Sequence, residues 1–268
     1  MASRGDVVAP CRAGETEPTV AEVVHAVADG AFLVAEQPIV SLAHERVVGT
    51  ESLVRWQHPR LGLLAPARFL PLVHELGLLP AVDLLVLRTT CGRLADDPSR
   101  PTASVNVSRA WLLRREFVDA VLGTLREHEL GGHRVLLELS EELSLDDLEL
   151  VRDELLVLRR AGVQLALDDM GTGETTLQHV RMLGPAWVKV DRSLVSGLDG
   201  SPERLRTVEL VIDLARTTGA GVTAEGIERE AEAAALVAVG CERGQGWLFG
   251  RPVLHRTTDR ISDHGIDQ

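Results

Sequence analysis

Short apolar strands alternate with amphipathic, helix-patterned segments along most of this 268-residue chain, and strand after strand carries a polar side chain in or just beyond its end. That alternation limits the fold more than any single motif. Strands separated by helices pair in parallel and need a helix over each exposed face. Strands are expected near Phe32–Val40, Val47–Val54, Ala103–Val107, Val135–Leu139, Val163–Leu167, Trp187–Val190, Gly221–Ala224 and around Gly240–Gly244. Ahead of them, Val20, Val23, Val24 and Val27 share one face of a helix expected over Thr19–Ala28. Amphipathic stretches such as Asp147–Arg160 and Pro202–Thr217 lie between the later strands. The first two strands are joined only by SLAHER, so they form an antiparallel hairpin, and the rest repeats as strand then helix.

Eight such strands in about 250 residues match a closed α/β barrel. An open, doubly wound sheet is the rival, and its dinucleotide-binding version lacks the GxGxxG fingerprint after the first strand. No Pro/Gly/Ser-rich linker divides the chain. We read residues 1–16 as a loose tail, 17–256 as one barrel domain and 257–268 as a C-terminal tail.

The polar strand ends carry the chemistry. Glu51 lies in GTESLVRW, Asn106 in SVNVS, Glu138 in LLELSEE, and Asp168 with Asp169 end LALDD. Lys189 is in WVKVD, Glu225 in TAEGIE and Gln245 in RGQGWLFG. A buried carboxylate must be paired, neutralised or bound to metal. Taken alone, any of these acids reads as a satisfied structural group. Together they assemble an oxygen-rich ring, because barrel strands converge at their C-terminal ends. Oxygen donors without a His or Cys cluster suit hard cations such as Mg²⁺ or Mn²⁺ rather than zinc. Two such cations suit in-line displacement at phosphorus. The nine histidines show no HExxH spacing; His58 and His179 read as surface or packing residues. Neither GxSxG nor GxxxxGK[ST] occurs, which removes serine-hydrolase and P-loop chemistry.

Composition narrows the partners. With 28 Lys plus Arg against 40 Asp plus Glu, the net charge of −12 disfavours long nucleic acids and anionic membranes. Aromatic residues are 3% of the chain and tyrosine is absent, which also argues against a base-stacking surface. The three cysteines are far apart and suggest a reducing compartment. No apolar run reaches the ~18 residues of a membrane span, and the stretch from Leu76 to Leu87 is interrupted by Pro80 and Asp83. A cytoplasmic location is the expectation.

Eight segments in order, EQPIV, ESLVRWQHP, SVNVS, LELSEE, LALDDMGTG, VKVDRSLV, AEGIE and GQGWLFGRP, resemble the EAL-domain family of bacterial cyclic-di-GMP phosphodiesterases. The resemblance covers roughly residues 30 to 255. It implies a (β/α)8 TIM-like barrel with one antiparallel strand, and metal-dependent hydrolysis of cyclic di-GMP to linear pGpG in second-messenger signalling. The alternative is an inactive receptor or a protein-interaction module. By resemblance, Glu51, Asn106, Glu138 and Asp168 hold one metal, while Asp168 and Asp169 reach a second. Lys189 steadies developing charge at the attacking water, and Glu225 acts as base or orients that water. Arg55 grips a phosphate, Gln37, Leu53 and Gln245 line the substrate pocket, and Glu228 is an acid behind the site. Glu141 holds the loop after the aspartates. A homodimer and a sensory or signalling partner are implied as well.

Three departures stand out. The signature tripeptide has Ser52 where the family has alanine, and Glu36 replaces a usual tyrosine before the QP pair. The loop after the aspartates reads Met170-Gly171-Thr172-Gly173-Glu174-Thr175-Thr176 instead of FGTGYSS. Trp187 and Trp247 are expected in the core, and Phe249 either packs there or stacks on a guanine.

Overall fold

The computed structural model describes residues 17–140, 143–170 and 177–254. Ten strands follow in chain order: β1 (Phe32–Ser41), β2 (Arg46–His58), β3 (Gly62–Leu64), β4 (Thr102–Val107), β5 (Val135–Ser140), β6 (Gln164–Met170), β7 (Trp187–Val190), β8 (Gly221–Ala224), β9 (Arg243–Gln245) and β10 (Val253–Leu254). Eight close a ring in the order β1, β2, β4, β5, β6, β7, β8, β9, with β1 pairing both β9 and β2. The open-sheet rival is thereby removed. β1 runs antiparallel to both ring neighbours. The other ring junctions are parallel. The fold is a TIM-like α/β barrel with one antiparallel strand.

Period-two alternation explains why these strands read as apolar runs with a polar residue in phase. Leu137 and Leu139 in β5, Leu165 and Leu167 in β6, Val188 in β7 and Val222 in β8 point outward and are buried beneath the helices. Their neighbours Glu138, Asp168, Lys189 and Thr223 point into the ring. Apolar burial between sheet and helices stabilises the barrel and leaves the interior free to carry polar groups. The lower end of the ring is filled by Trp187, whose ring stacks 3.3 Å from the Arg243 guanidinium. Gly221, opposite Trp187, has no side chain because a Cβ would strike that indole.

Several boundaries differ from the sequence expectation. β2 runs on to His58 because it folds back on β3, and the His58 Nδ1 accepts hydrogen bonds from Arg60 N and Leu61 N, both at 3.1 Å. His58 is buried, so it is a packing residue. The amphipathic stretch Asp147–Arg160 is covered by two helices, Leu145–Leu150 and Arg152–Arg160. The first starts earlier because Ser144 and Asp147 form a reciprocal cap. Leu148, Val151, Leu155 and Leu158 are all buried, so the apolar stripe runs through the break and hides it. The apolar run from Leu76 to Leu87 is split, because Leu76 to Leu78 precede the helix Leu79–Asp96 and Pro80 sits in that helix's first turn, where a missing N–H costs nothing. Among the described residues, no helix is long and apolar enough to cross a membrane.

Candidate active site

Inward-facing residues at the C-terminal rim of the ring meet around one ammonium. Lys189 Nζ on β7 lies 2.6 Å from Glu225 Oε1, 2.8 Å from Glu138 Oε2, 3.1 Å from Asp168 Oδ1 and 3.8 Å from Glu51 Oε1. Asn106 Nδ2 on β4 donates to Glu51 Oε1 at 2.9 Å. Gln245 Nε2 on β9 donates to Glu51 Oε2 at 2.6 Å and to Gln37 Oε1 on β1 at 3.1 Å. Seven strands and the turn after β8 thus contribute to one cluster. Gln37 is held from the other side, its Nε2 donating to Gly250 O at 3.0 Å.

A local irregularity turns both aspartates toward the rim. In the β6–β7 pairing, Leu167 faces Val188 but Met170 faces Val190, so β6 carries one extra residue. Asp169 takes the left-handed conformation, φ 57°, which an aspartate tolerates better than most side chains. Its N–H donates to Asp168 Oδ1 at 3.0 Å. Asp168, Asp169 and Glu225 each offer a carboxylate oxygen within 4.8 Å of the others.

Burial and mutual repulsion set the protonation of this cluster. Burial, then the charges of Asp168 and Glu51, push Glu225 up to about 8 against the pull of Lys189. Burial also drives Glu138 well above the ordinary carboxylate range, with Lys189 opposing and Glu51, Asp168 and Glu225 adding to the rise. Glu51 is raised by burial, but Lys189 and hydrogen bonds from Gln245 and Asn106 outweigh that, and it sits below its usual value. Burial acts to lower Lys189, yet the surrounding carboxylates win and hold it charged.

Five carboxyl groups gather around one ammonium, more acidic oxygens than that one cation can balance, which is why burial and repulsion hold protons on Glu138 and Glu225. Among the described residues, the buried Glu138 Oε1 and Gln245 Oε1 have no hydrogen-bond partner. Orphaned acceptors among hard oxygen donors, with no thiol or imidazole in the set, fit a divalent cation of the Mg²⁺ or Mn²⁺ kind.

Beside the cluster opens a cavity of about 220 Å³, whose walls include Gln37, Glu51, Leu53, Glu225, Glu228 and Gln245. Glu228 pairs with Arg192 at 3.0 Å. Arg55 follows Glu51 and Leu53 on the same phase of β2 and is half-buried, its Nη1 donating to Val54 O at 2.8 Å, but it is not one of the residues that line the cavity. Burial lowers its guanidinium against the opposing pull of the Glu51 charge. Glu141 and the loop residues Gly171–Thr176, Glu174 included, lie outside the described residues.

The sequence reading missed Arg192, Gly226, Gly246 and Trp247 as cavity residues. Trp247 corrects the core expectation. It is 50% exposed, with the Arg251 guanidinium 4.0 Å from its ring and that of Arg192 at 5.7 Å. Its position directly after Gln245-Gly246, just past a strand end, was the available signal. Phe249 packs against the core.

Comparison with known proteins bears on the same residues. The EAL domain model matches residues 20–252. An uncharacterised protein of Mycobacterium tuberculosis is 38% identical over 221 residues, covering 81% of this chain and 36% of that protein. A Pseudomonas aeruginosa protein named as a cyclic di-GMP phosphodiesterase is 33% identical, covering 83% of this chain and 38% of that protein. The chain thus spans little more than a third of either relative. The solved PaMucR phosphodiesterase in complex with c-di-GMP superposes with a TM-score of 0.82 at 29% identity, over 88% of this chain and 97% of that one. The EAL domain of Mycobacterium smegmatis DcpA gives 0.70 at 32% identity, over 84% and 92%.

Proposed function

The chain belongs to the EAL domain family, and on that premise we propose that it is a cytoplasmic, metal-dependent phosphodiesterase that hydrolyses cyclic di-GMP to linear pGpG. The observation that carries this reading is the convergence of Glu51, Glu138, Asp168, Asp169 and Glu225 on one rim, with a single ammonium among them and a buried orphaned oxygen on Glu138. The c-di-GMP bound to a structural relative at 29% identity, and the name of the Pseudomonas relative, support the substrate.

Glu51, Asn106, Glu138 and Asp168 would hold one Mg²⁺ or Mn²⁺, and Asp168 with Asp169 a second. Such a pair supplies an acidified water and neutralises charge at phosphorus. The chain's own groups do the rest. Glu225 orients the attacking water and can take its proton, and Lys189 steadies negative charge growing on the phosphoryl oxygens. Attack forms one P–O bond and breaks the opposite one, opening the ring; the leaving ribose oxygen takes up a proton. Arg55 presents a planar fork of donors to a phosphate at the rim. Gln37, Leu53 and Gln245 shape the wall against the substrate, and Glu228 holds Arg192 in place. A homodimer and a regulatory partner belong to the same reading.

Incubating the purified chain with cyclic di-GMP and Mn²⁺, beside an Asp168→Ala control, tests it. Release of pGpG that the control abolishes is the expected result. Binding without turnover would make the chain a receptor, and no binding would leave a protein-interaction module. Ca²⁺, with its larger and looser coordination, should support binding but not turnover.

A further inference from the structure

We propose that a buried polar seam behind β1 and β2, made of Glu36, Ser52, Thr90, Arg93 and Arg100, is a positioning unit for the inward-facing Gln37 and Glu51. This rests on the phosphodiesterase reading, in which Glu51 is a metal ligand.

Two consecutive cross-strand pairs are involved. Gln37 faces Glu51 and Glu36 faces Ser52 in the β1–β2 register. Alternation sends the first pair into the ring, where Gln245 donates to both members. The second pair points outward, under the helix Leu79–Asp96, and is almost fully buried: Glu36 is 3% exposed and Ser52 2%. Glu36 accepts from Arg93 Nη1 at 3.0 Å and from Arg100 Nη1 at 2.6 Å. Thr90 Oγ1 donates to Ser52 Oγ at 2.9 Å. Thr90 and Arg93 are three residues apart and share one face of that helix.

The seam holds β1 and β2 differently from apolar packing. Aliphatic surfaces tolerate small slides, because dispersion is shallow and non-directional. A buried carboxylate between two guanidiniums does not, since any slide or twist separates charges that water cannot reach. Each backbone step carrying Glu36 or Ser52 also carries Gln37 or Glu51 on the opposite face, so fixing the outer pair fixes the inner one. Glu36 and Ser52 are also two of the positions at which the chain departs from the family's pattern. These two positions oppose each other across two strands, and Thr90 and Arg93 of one helix bond to both.

Mn²⁺ affinity, measured by titration calorimetry without substrate, tests the unit alongside the melting temperature of each variant. Groups that orient metal ligands typically set affinity by about ten- to a hundred-fold. Glu36→Gln should weaken Mn²⁺ binding about tenfold. Should that variant fail to fold, the Ser52 and Thr90 series decides. Ser52→Ala/Thr90→Val keeps shape and removes both hydroxyls together; it should melt near the wild type yet bind Mn²⁺ several-fold more weakly. Thr90→Ser, which keeps the hydroxyl, should bind as the wild type does. Val208→Ala, a distant core truncation, should lower the melting temperature and leave Mn²⁺ affinity unchanged. Wild-type affinity in both Glu36→Gln and the double variant, or affinity that follows melting temperature across all variants including Val208→Ala, overturns the positioning role alone. No Mn²⁺ binding by the wild-type chain overturns the phosphodiesterase reading and the seam's role with it.

Discussion

Replacing Lys189 with methionine keeps an unbranched side chain of similar bulk, one atom shorter, and deletes its charge. Four carboxylates, from Glu51, Glu138, Asp168 and Glu225, lie 2.6–3.8 Å from that ammonium. Lys189 is 2% exposed and Glu138 1%, so solvent screens little of the loss. Removing one partner of a buried ion pair costs about 3–5 kcal/mol, because the remaining charge is left uncompensated. For a domain somewhat under this size, each kcal/mol moves the midpoint by roughly 2–4 °C. The metal-free variant should therefore melt about 6–20 °C below the wild type. Saturating Mn²⁺ should close much of that gap, since added cations restore the missing positive charge. Calorimetric melts in chelator and in Mn²⁺ read both effects. A Lys189→Met variant that melts within about 2 °C of the wild type without metal, or whose deficit widens with Mn²⁺, would show that the ammonium does not balance this cluster.

Three further outcomes follow from the same geometry. Glu225 is raised from its ordinary value of 4.5 to about 8, so the folded chain keeps a proton there that the unfolded chain has released. Its contribution to metal-free stability is complete below about pH 4.5 and lost as the pH rises through about 8. Melts in chelator from acid to mildly alkaline pH should show that decline, Mn²⁺ binding should tighten over the same interval, and a rising melting temperature would contradict it. At Gly246 a Cβ would run into the Ile227 backbone, whereas at Gly123, inside the helix Phe117–Glu127, it meets nothing. Gly246→Ala should lose several kcal/mol and Gly123→Ala should gain about 0.5–1 kcal/mol, both read from denaturant unfolding. Trp56 and Trp111 are buried while Trp247 borders the cavity; cyclic di-GMP in Ca²⁺ should quench fluorescence in the wild type. Trp247→Leu should lose most of that signal and about 1–3 kcal/mol of binding, and an unchanged quench would remove Trp247 from the contact.

Much of the barrel and its rim could be read from the sequence because two periodicities coincide. Strands such as LLELS and WVKV carry an aliphatic face for the helices and a polar residue in the opposite phase, and that phase is what delivers Glu138 and Lys189 to one place. The short SLAHER link likewise marked the first two strands as an antiparallel hairpin. What escaped was set by contacts distant in sequence or by backbone torsion. β3 and β10 have three and two residues, too short to show alternation. The break at Val151 does not interrupt the buried stripe. The left-handed turn at Asp169, which lets neighbouring aspartates share a rim, leaves no mark in hydropathy. Glu36 read as an anomaly because Arg93 and Arg100, its partners, are more than fifty residues away.

Anomalous diffraction from crystals grown in Mn²⁺ tests most directly whether this rim is built to hold a pair of divalent ions. Two peaks are expected there, one bounded by Glu51, Asn106, Glu138 and Asp168 and the other beside Asp168 and Asp169. A well-ordered map with no peak among those side chains would contradict it.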